Sequence, residues 1–448
     1  MVKGSLFVVR MEFGWNGRRG WIFWACHGRS IVTMQPAEAL TSKMMIKCAK
    51  LKAVLALMVW SGVCAEEAKP PIKETAKPVE VPALAQLTDW PESRANPAMV
   101  GESEVKLGVP MKLGWQVPLM EKIKRGEMLV ASAVIRGGKV YVGCKEGTFH
   151  CLDLETGKSV WKAKTLGAID GAAAFAGELV IAGSQDGQVY AWNAETGQEV
   201  WKFETEAEIH AAANVWVPPG QTEPRVYIGS YDYSVYCLDA LKGTKLWAAE
   251  TGYYINGGAA IGDGMVVFGG CDSVLHVHDA VTGKEVRQIE VGAYIGNNVA
   301  IADGVIYVSH YGNRVGAYSM TDGMKVWEYG EREFEFYAAP AIHKNWVVVG
   351  GRDKRMHGID RTTGKAKWEY RARDRIDSSA VICGGDKVVF GSDDGYLYVL
   401  GLADGKELWT YEIGAAVKTS PAVTAQWVVL GADDGVLYAF RHERKENE

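Results

Sequence analysis

Several things are scarce in this 448-residue chain. No run of about 20 apolar residues occurs, so no segment reads as a membrane-spanning helix. No heptad is sustained, which excludes a coiled coil. The eight cysteines are scattered, with no CxxC and no adjacent pair, which removes zinc ribbons and thioredoxin-type redox sites. Excess positive charge is missing too. The formal net charge is −5, and residues 1–65 hold nine Lys/Arg against two Asp/Glu, so the remainder is more acidic than the whole. Such a chain is a poor partner for nucleic acid. Beyond residue 65 an odd set of cysteines remains (Cys144, Cys151, Cys237, Cys271 and Cys383), read as small buried hydrophobes. A Cys144–Cys151 pair across one hairpin is geometrically unfavourable.

What the chain has in quantity is glycine (52) and tryptophan (16), and both recur on a period. Trp161, Trp201, Trp247, Trp327, Trp368 and Trp409 each follow a turn glycine by four residues, and Arg287 takes the same slot after Gly283. The steps are 40, 46, 40, 40, 41 and 41 residues. A fixed spacing of this size marks a repeated supersecondary unit. Upstream of each tryptophan lie two alternating apolar strands around a glycine, as in Val180–Trp192, with related segments at Gly143, Gly229, Gly269, Ser309, Gly350, Gly391 and Gly431. Asp186-Gly187, Asp394-Gly395 and Asp434-Gly435 supply hairpin turns. With a short inner strand such as Gly171–Ala174, each unit has four strands, the content of a propeller blade.

The glycine hairpin occurs eight times and the tryptophan element seven. Leu113-Gly114-Trp115-Gln116-Val117 supplies the missing outer strand. The expected fold is therefore an all-β, eight-bladed propeller over 110–440, closed by its N-terminal strand so that no sheet edge is left between first and last blade. Tryptophans 115, 161, 201, 247, 327, 368 and 409 are expected to wedge between blades, and Arg287 to weaken its blade or stack in the same slot.

The segment before the ring is different in kind. Lys47, Lys50 and Lys52, the apolar stretch 53–60 and Val63-Cys64-Ala65 read as a signal peptide over 44–65. Residues 1–43 then read as upstream sequence from a mis-set start codon. Cys64 offers a second reading as a lipid-anchored N-terminus, against which Val63 is a poor fit. Residues 66–109, rich in Pro, Lys, Glu and Ala at their start, read as a tether and a lead-in to the ring. Residues 441–448 read as a charged tail.

The strand ending in Asp, followed by x-x-Thr-Gly-x-x-x-Trp and a Gly-x-x-Asp-Gly hairpin, as in Cys151–Trp161 and Gly358–Trp368, resembles the pyrroloquinoline-quinone (PQQ) type propeller repeat. The resemblance covers roughly residues 110–440. Eight blades, an export signal and no added domain are most similar to the BamB branch of that family, the outer-membrane protein assembly lipoproteins. That likeness implies a non-catalytic, monomeric, exported scaffold with protein partners in the periplasm or at the outer membrane, and no cofactor. The quinoprotein dehydrogenases that share the repeat imply the alternative, an enzyme holding PQQ with calcium. The adjacent cysteine pair usual in those enzymes is missing here, and the chain is shorter.

No catalytic residue is assigned. Aligning the blades puts Val130, Asp170, His210, Asn256, Gly296, Tyr337, Asp377 and Lys418 at one mouth of the axial channel, where a water-filled channel or a small-ligand site is expected. Arg352, Lys354 and Arg355 in a hairpin turn, and Arg371, Arg373 and Arg375 in the next inter-blade loop, should share one ring face beside Glu331, Glu333, Glu335, Phe334 and Phe336. That patch reads either as a self-neutralising network or as a docking surface for a protein. The insertion Pro218–Pro224 falls on the opposite face. His276-Val277-His278 has the spacing of a metal pair. His276, however, shares a column with His150, Tyr190, Tyr236, His357, Tyr398 and Tyr438, so it reads as packing and no metal is expected.

Overall fold

The computed structural model describes residues 6–15, 18–27, 30–34, 89–120, 131–330 and 332–443. Leu6–Trp15, Arg18–His27 and Ser30–Met34 form a three-stranded antiparallel sheet in a unit of its own. The expected signal peptide, residues 66–88 of the tether, residues 444–448 of the tail, Val130 and Glu331 lie outside the described residues.

From residue 112 onward the chain builds eight sheets. Blade 1 consists of Val134–Arg136, Lys139–Gly143, Thr148–Asp153 and Ser159–Lys164, an antiparallel meander in chain order. Blades 2 to 7 repeat it, beginning at Ala174–Ala176, Asn214–Trp216, Ala260–Gly262, Ala300–Ala302, Ala341–His343 and Val381–Cys383. Blade 8 takes three strands from the C-terminal end, Ala422–Val423, Trp427–Gly431 and Val436–Arg441, and its outer strand, Lys112–Pro118, from the N-terminal side. There Trp115 lies opposite Ala439 and Gln116 opposite Tyr438. Second and third strands are buried on both faces, which is why they read as apolar runs; Leu179–Gly183 is buried throughout. The outer strand has one face on the next blade and one in water, so it alternates.

The tryptophan–glycine repeat is a latch between neighbours. The indole of Trp161 donates to the carbonyl of Ala194 in blade 2 at 2.9 Å, and Trp115, Trp201, Trp247, Trp327 and Trp368 make the same bond to Leu154, Ala240, Ala280, Arg361 and Leu402. Each ring lies on the turn glycine of the following blade; a Cβ on Gly197 would sit 2.6 Å from Trp161. That glycine has φ +73°, so the turn and the neighbour's indole each require it. Trp409, in blade 7, packs instead against Tyr411 and Phe440. Arg287 fills the slot in blade 4: its stem covers Gly323, and its guanidinium donates to the carbonyls of Asp322 (3.0 Å) and Thr321, standing in for the indole N–H.

Residues 89–109, expected as the lead-in to the ring, pack against its inner strands. They form an arc inside the ring, about five residues below the expected mouth on each inner strand. Trp90 pairs with Ile135, and the Glu92 carboxylate accepts from Val215 N. The carbonyls of Pro97, Ala98, Val100 and Gly101 accept in turn from Ile261, Ile301, Ile342 and Ile382. Glu102–Ser103 then adds a parallel fifth strand to blade 7. Arg94 is buried and spans the arc, donating to Ala380 O and Pro340 O, both at 2.7 Å. The arc has no period-2 or helical pattern; scattered Trp90, Met99, Val105 and Leu107, all buried, anchor it.

Candidate functional site

The arc turns the axial channel into a pit of about 680 Å³. Ser93 lies against its floor, held by Asn298 Nδ2 at 3.1 Å. Of the eight residues expected at the mouth, Asp170, His210, Asn256, Gly296, Tyr337, Asp377 and Lys418 line this one cavity. Below them lies a small, polar tier that includes Ser132, Ser379 and Ser420.

A further set of rim residues, of which the sequence points to Arg352 alone as a site residue, stands beside these. The first residue of the turn between strands two and three donates its N–H to the carbonyl two residues before the mouth residue. Gln185 does so to Ala168, Tyr231 to Glu208, Cys271 to Tyr254, Tyr311 to Tyr294, Arg352 to Glu335, Asp393 to Arg375 and Asp433 to Ala416, at 2.8–3.0 Å. That bond sets each turn side chain beside a mouth side chain. Gln185 Nε2 reaches Asp170 at 2.5 Å, Tyr231 stacks on His210 (centroids 4.3 Å) and Asn256 Nδ2 meets Cys271 Sγ at 3.1 Å. Arg352 lies over Tyr337 (5.1 Å), and Lys418 pairs with Asp433 at 2.6 Å. The signal for this ring was available: these residues occupy one fixed position after the hairpin glycine in every repeat.

The cations of the pit are each paired with a carboxylate, and carboxylates are in excess. On blades 6 to 8, Arg352 grips Asp377 with two hydrogen bonds of 2.9 and 3.0 Å, Arg375 pairs with Asp393 at 2.5 Å, and Lys418 with Asp433. The Asp377 contact pushes the Arg352 guanidinium still higher, and burial raises Asp393. Across the pit His210 lies between Asp170 (2.9 Å) and Glu208 (3.1 Å); burial lowers its pKa, but these two carboxylates prevail and raise it. Burial pushes Tyr231 and Tyr337 up to about 12, so both act as neutral hydroxyls. Asp170 Oδ1 accepts no hydrogen bond from the described residues.

The expected basic patch divides. Arg352 is half-buried in the pit wall, and Arg375, still exposed, lines the pit as well. Arg355 is half-buried against Glu369 at 3.1 Å, a carboxylate it shares with Arg332. Phe336 is buried among Tyr329 and His357 and offers no surface. Lys354, Arg371, Arg373 and Phe334 remain exposed; Lys354 pairs with Asp374, and Arg373 lies over Tyr396 at 4.3 Å. Alternation does not explain the split, since Phe334 and Phe336 have the same parity; Phe336 is buried because it packs into the blade 5–6 core. The same rim carries exposed aromatic residues missed from sequence, Tyr233, Tyr253, Tyr294 and Tyr311. Tyr233 and Tyr253 stack at 5.6 Å. Pro218–Pro224 joins the first two strands of blade 3, where Gln221 and Val281 O receive Arg225. All five cysteines after residue 65 are free, with Cys271 at the pit wall.

Eight four-stranded blades, a tryptophan–glycine latch and an axial pit define a PQQ-repeat propeller. The family described as outer membrane protein assembly factor BamB matches residues 112–215, 164–254, 231–382 and 371–445, and the chain belongs to it. No curated protein matches the chain. The structure of BamB from Moraxella catarrhalis aligns with a TM-score of 0.63 and 17% identity, over 74% of this chain and 100% of that one. The quinohemoprotein alcohol dehydrogenase ADHIIG of Pseudomonas putida HK5 aligns at 0.67 and 14%, over 81% and 82%. A europium-containing methanol dehydrogenase aligns at 0.65 and 13%, over 80% and 98%. At these identities the likeness is one of fold, and it includes BamB and dehydrogenases alike.

Proposed function

We propose that this protein is a non-catalytic, exported scaffold that binds a protein partner in outer-membrane protein assembly, through the ring face around the pit mouth. One observation carries the reading: that face displays Tyr233, Tyr253, Tyr294, Tyr311 and Phe334, with Lys354, Arg371 and Arg373 beside them. Exposed aromatics and arginine concentrated on one side of a rigid body are the composition of a protein interface core. Family membership supplies the class of partner, and an envelope location follows from it. No helix among the described residues is long and apolar enough to cross a membrane.

The dehydrogenase alternative asks the pit to hold PQQ, a flat tricarboxylate, with a divalent cation. The donor set does not suit that pair. Arg352, Arg375 and Lys418 are each neutralised by an aspartate, so none is spare for the cofactor's carboxylates. Asp377 is already gripped by a guanidinium where a cation would have to sit.

Capture from the native cell envelope tests the reading. An outer-membrane β-barrel assembly protein should be retained by the wild type and lost with Tyr253→Ser, Tyr294→Ser and Phe334→Ser combined with charge reversal at Arg371 and Arg373. Undiminished retention by that variant would remove this face from the proposal. Titration with PQQ and calcium should give no bound chromophore; a stoichiometric one would favour the enzyme.

A further inference from the structure

Blade 4 departs from the repeat at His278, which lies on one strand with His276 and opposite Glu285. In other blades the residue at the His276 position donates to the aspartate four residues earlier: Tyr190 to Asp186 (2.9 Å), Tyr236 to Asp232 (2.7 Å), Tyr398 to Asp394 (2.9 Å) and Tyr438 to Asp434 (2.6 Å). His276 Nε2 keeps that contact with Asp272 at 2.8 Å. A tyrosine is then satisfied, but an imidazole has a second nitrogen. In His357 that nitrogen meets Tyr329 OH at 2.9 Å; in His276 the Nδ1 is buried without a partner.

Two residues on, the repeat carries Leu152, Trp192, Leu238, Tyr318, Ile359, Leu400 and Phe440, whereas blade 4 carries His278. Its Nδ1 faces Gly283 O at 3.1 Å, which fixes the proton there and leaves the lone pair on Nε2, again buried and unpartnered. The two imidazoles are 3% and 4% exposed. Glu285 is the cross-strand partner of His278 and is steadied by Gln288 at 2.8 Å. One nitrogen of each ring and a Glu285 oxygen lie within 4.8 Å of one another.

We propose that His276, His278 and Glu285 form a binding site for a divalent transition-metal ion of the zinc class. Two imidazoles and a carboxylate with a fourth position open to water are a zinc donor set; calcium and magnesium want oxygen ligands only. Each imidazole donates its outer N–H to a carboxylate or a carbonyl, the arrangement that orients metal-binding histidines. The packing column accounts for one nitrogen of His276 and for nothing of His278. The site also has a structural use. Blade 4 is the one whose outer strand has Arg287 in place of tryptophan, and an ion here would tie that strand, through Glu285, to the third strand.

Zinc titration of untagged, chelator-treated protein should show one ion per chain and a rise in melting temperature, and cobalt(II) should give visible ligand-field bands. His276→Tyr with His278→Leu restores residues that other blades carry at these positions, so the fold should persist, judged by circular dichroism, while zinc binding and cobalt bands vanish. Asp272→Asn should weaken binding roughly 10- to 100-fold. A wild type that takes up neither ion, or a double variant that binds zinc as before, would overturn the site.

Discussion

At the scale of single residues, the positions that matter most are those with two simultaneous demands. A turn glycine such as Gly364 must adopt φ +69° and also leave room for Trp327 of the preceding blade. Trp327 is 8% exposed and bonded to Arg361 O at 2.7 Å. Trp327→Ala should cost about 3–5 kcal/mol in urea unfolding. Arg287→Trp should move the other way, by roughly 0.5–2 kcal/mol, because it restores the residue that the repeat uses elsewhere. A loss of stability in Arg287→Trp would mean that the guanidinium bonds to blade 5 outweigh an indole. These residues were legible in the sequence because the latch recurs in register. His276 and His278 were legible only as a spacing; that each ring keeps a buried nitrogen without a partner was not.

At the scale of elements, the arc of residues 89–109 deserves the closest test, since nothing periodic announces it. Glu92 within it is 8% exposed, and burial raises its pKa from 4.5 to about 8. The folded state therefore binds a proton that the unfolded chain has released between those values. Stability should fall as pH rises through that window, with little contribution below it. Glu92→Gln keeps the acceptor for Val215 N and removes the titration. It should match the wild type near pH 5 and melt higher near pH 8, by thermal denaturation at both pH values. Equal pH dependence in the two proteins would show that Glu92 is hydrated. The arc was read as lead-in because its buried anchors are too sparse to form a pattern; each packs against an inner strand that is distant in sequence.

At the scale of the whole molecule, ring closure is the single long-range event on which the pit depends. Deleting Lys112–Pro118 would uncover Val436–Arg441, an apolar edge strand with unpaired backbone groups. The expected outcome is a loss of the monomer in light scattering, with association or aggregation. A monomer that melts like the wild type would mean that the ring is held without its closing strand. The arc adds a contact just as distant, Arg94 to Ala380, 286 residues away. The rim of the pit, with its paired acids and bases, presents a fixed polar surface.

The sequence by itself determined the blade count, the closing strand, the recurring tryptophan slot and seven of the residues that line the pit. All of these are written in local alternation, in positive-φ turns and in a period near 40, which neighbouring residues enforce. Tertiary structure alone decided that Arg352 and Arg375 line the pit, that Phe336 is buried, that residues 89–109 run along the inner strands and that His276 and His278 each keep a buried nitrogen without a partner. Those outcomes depend on which side chains meet across blades, and contacts of that kind are fixed only when the ring has closed.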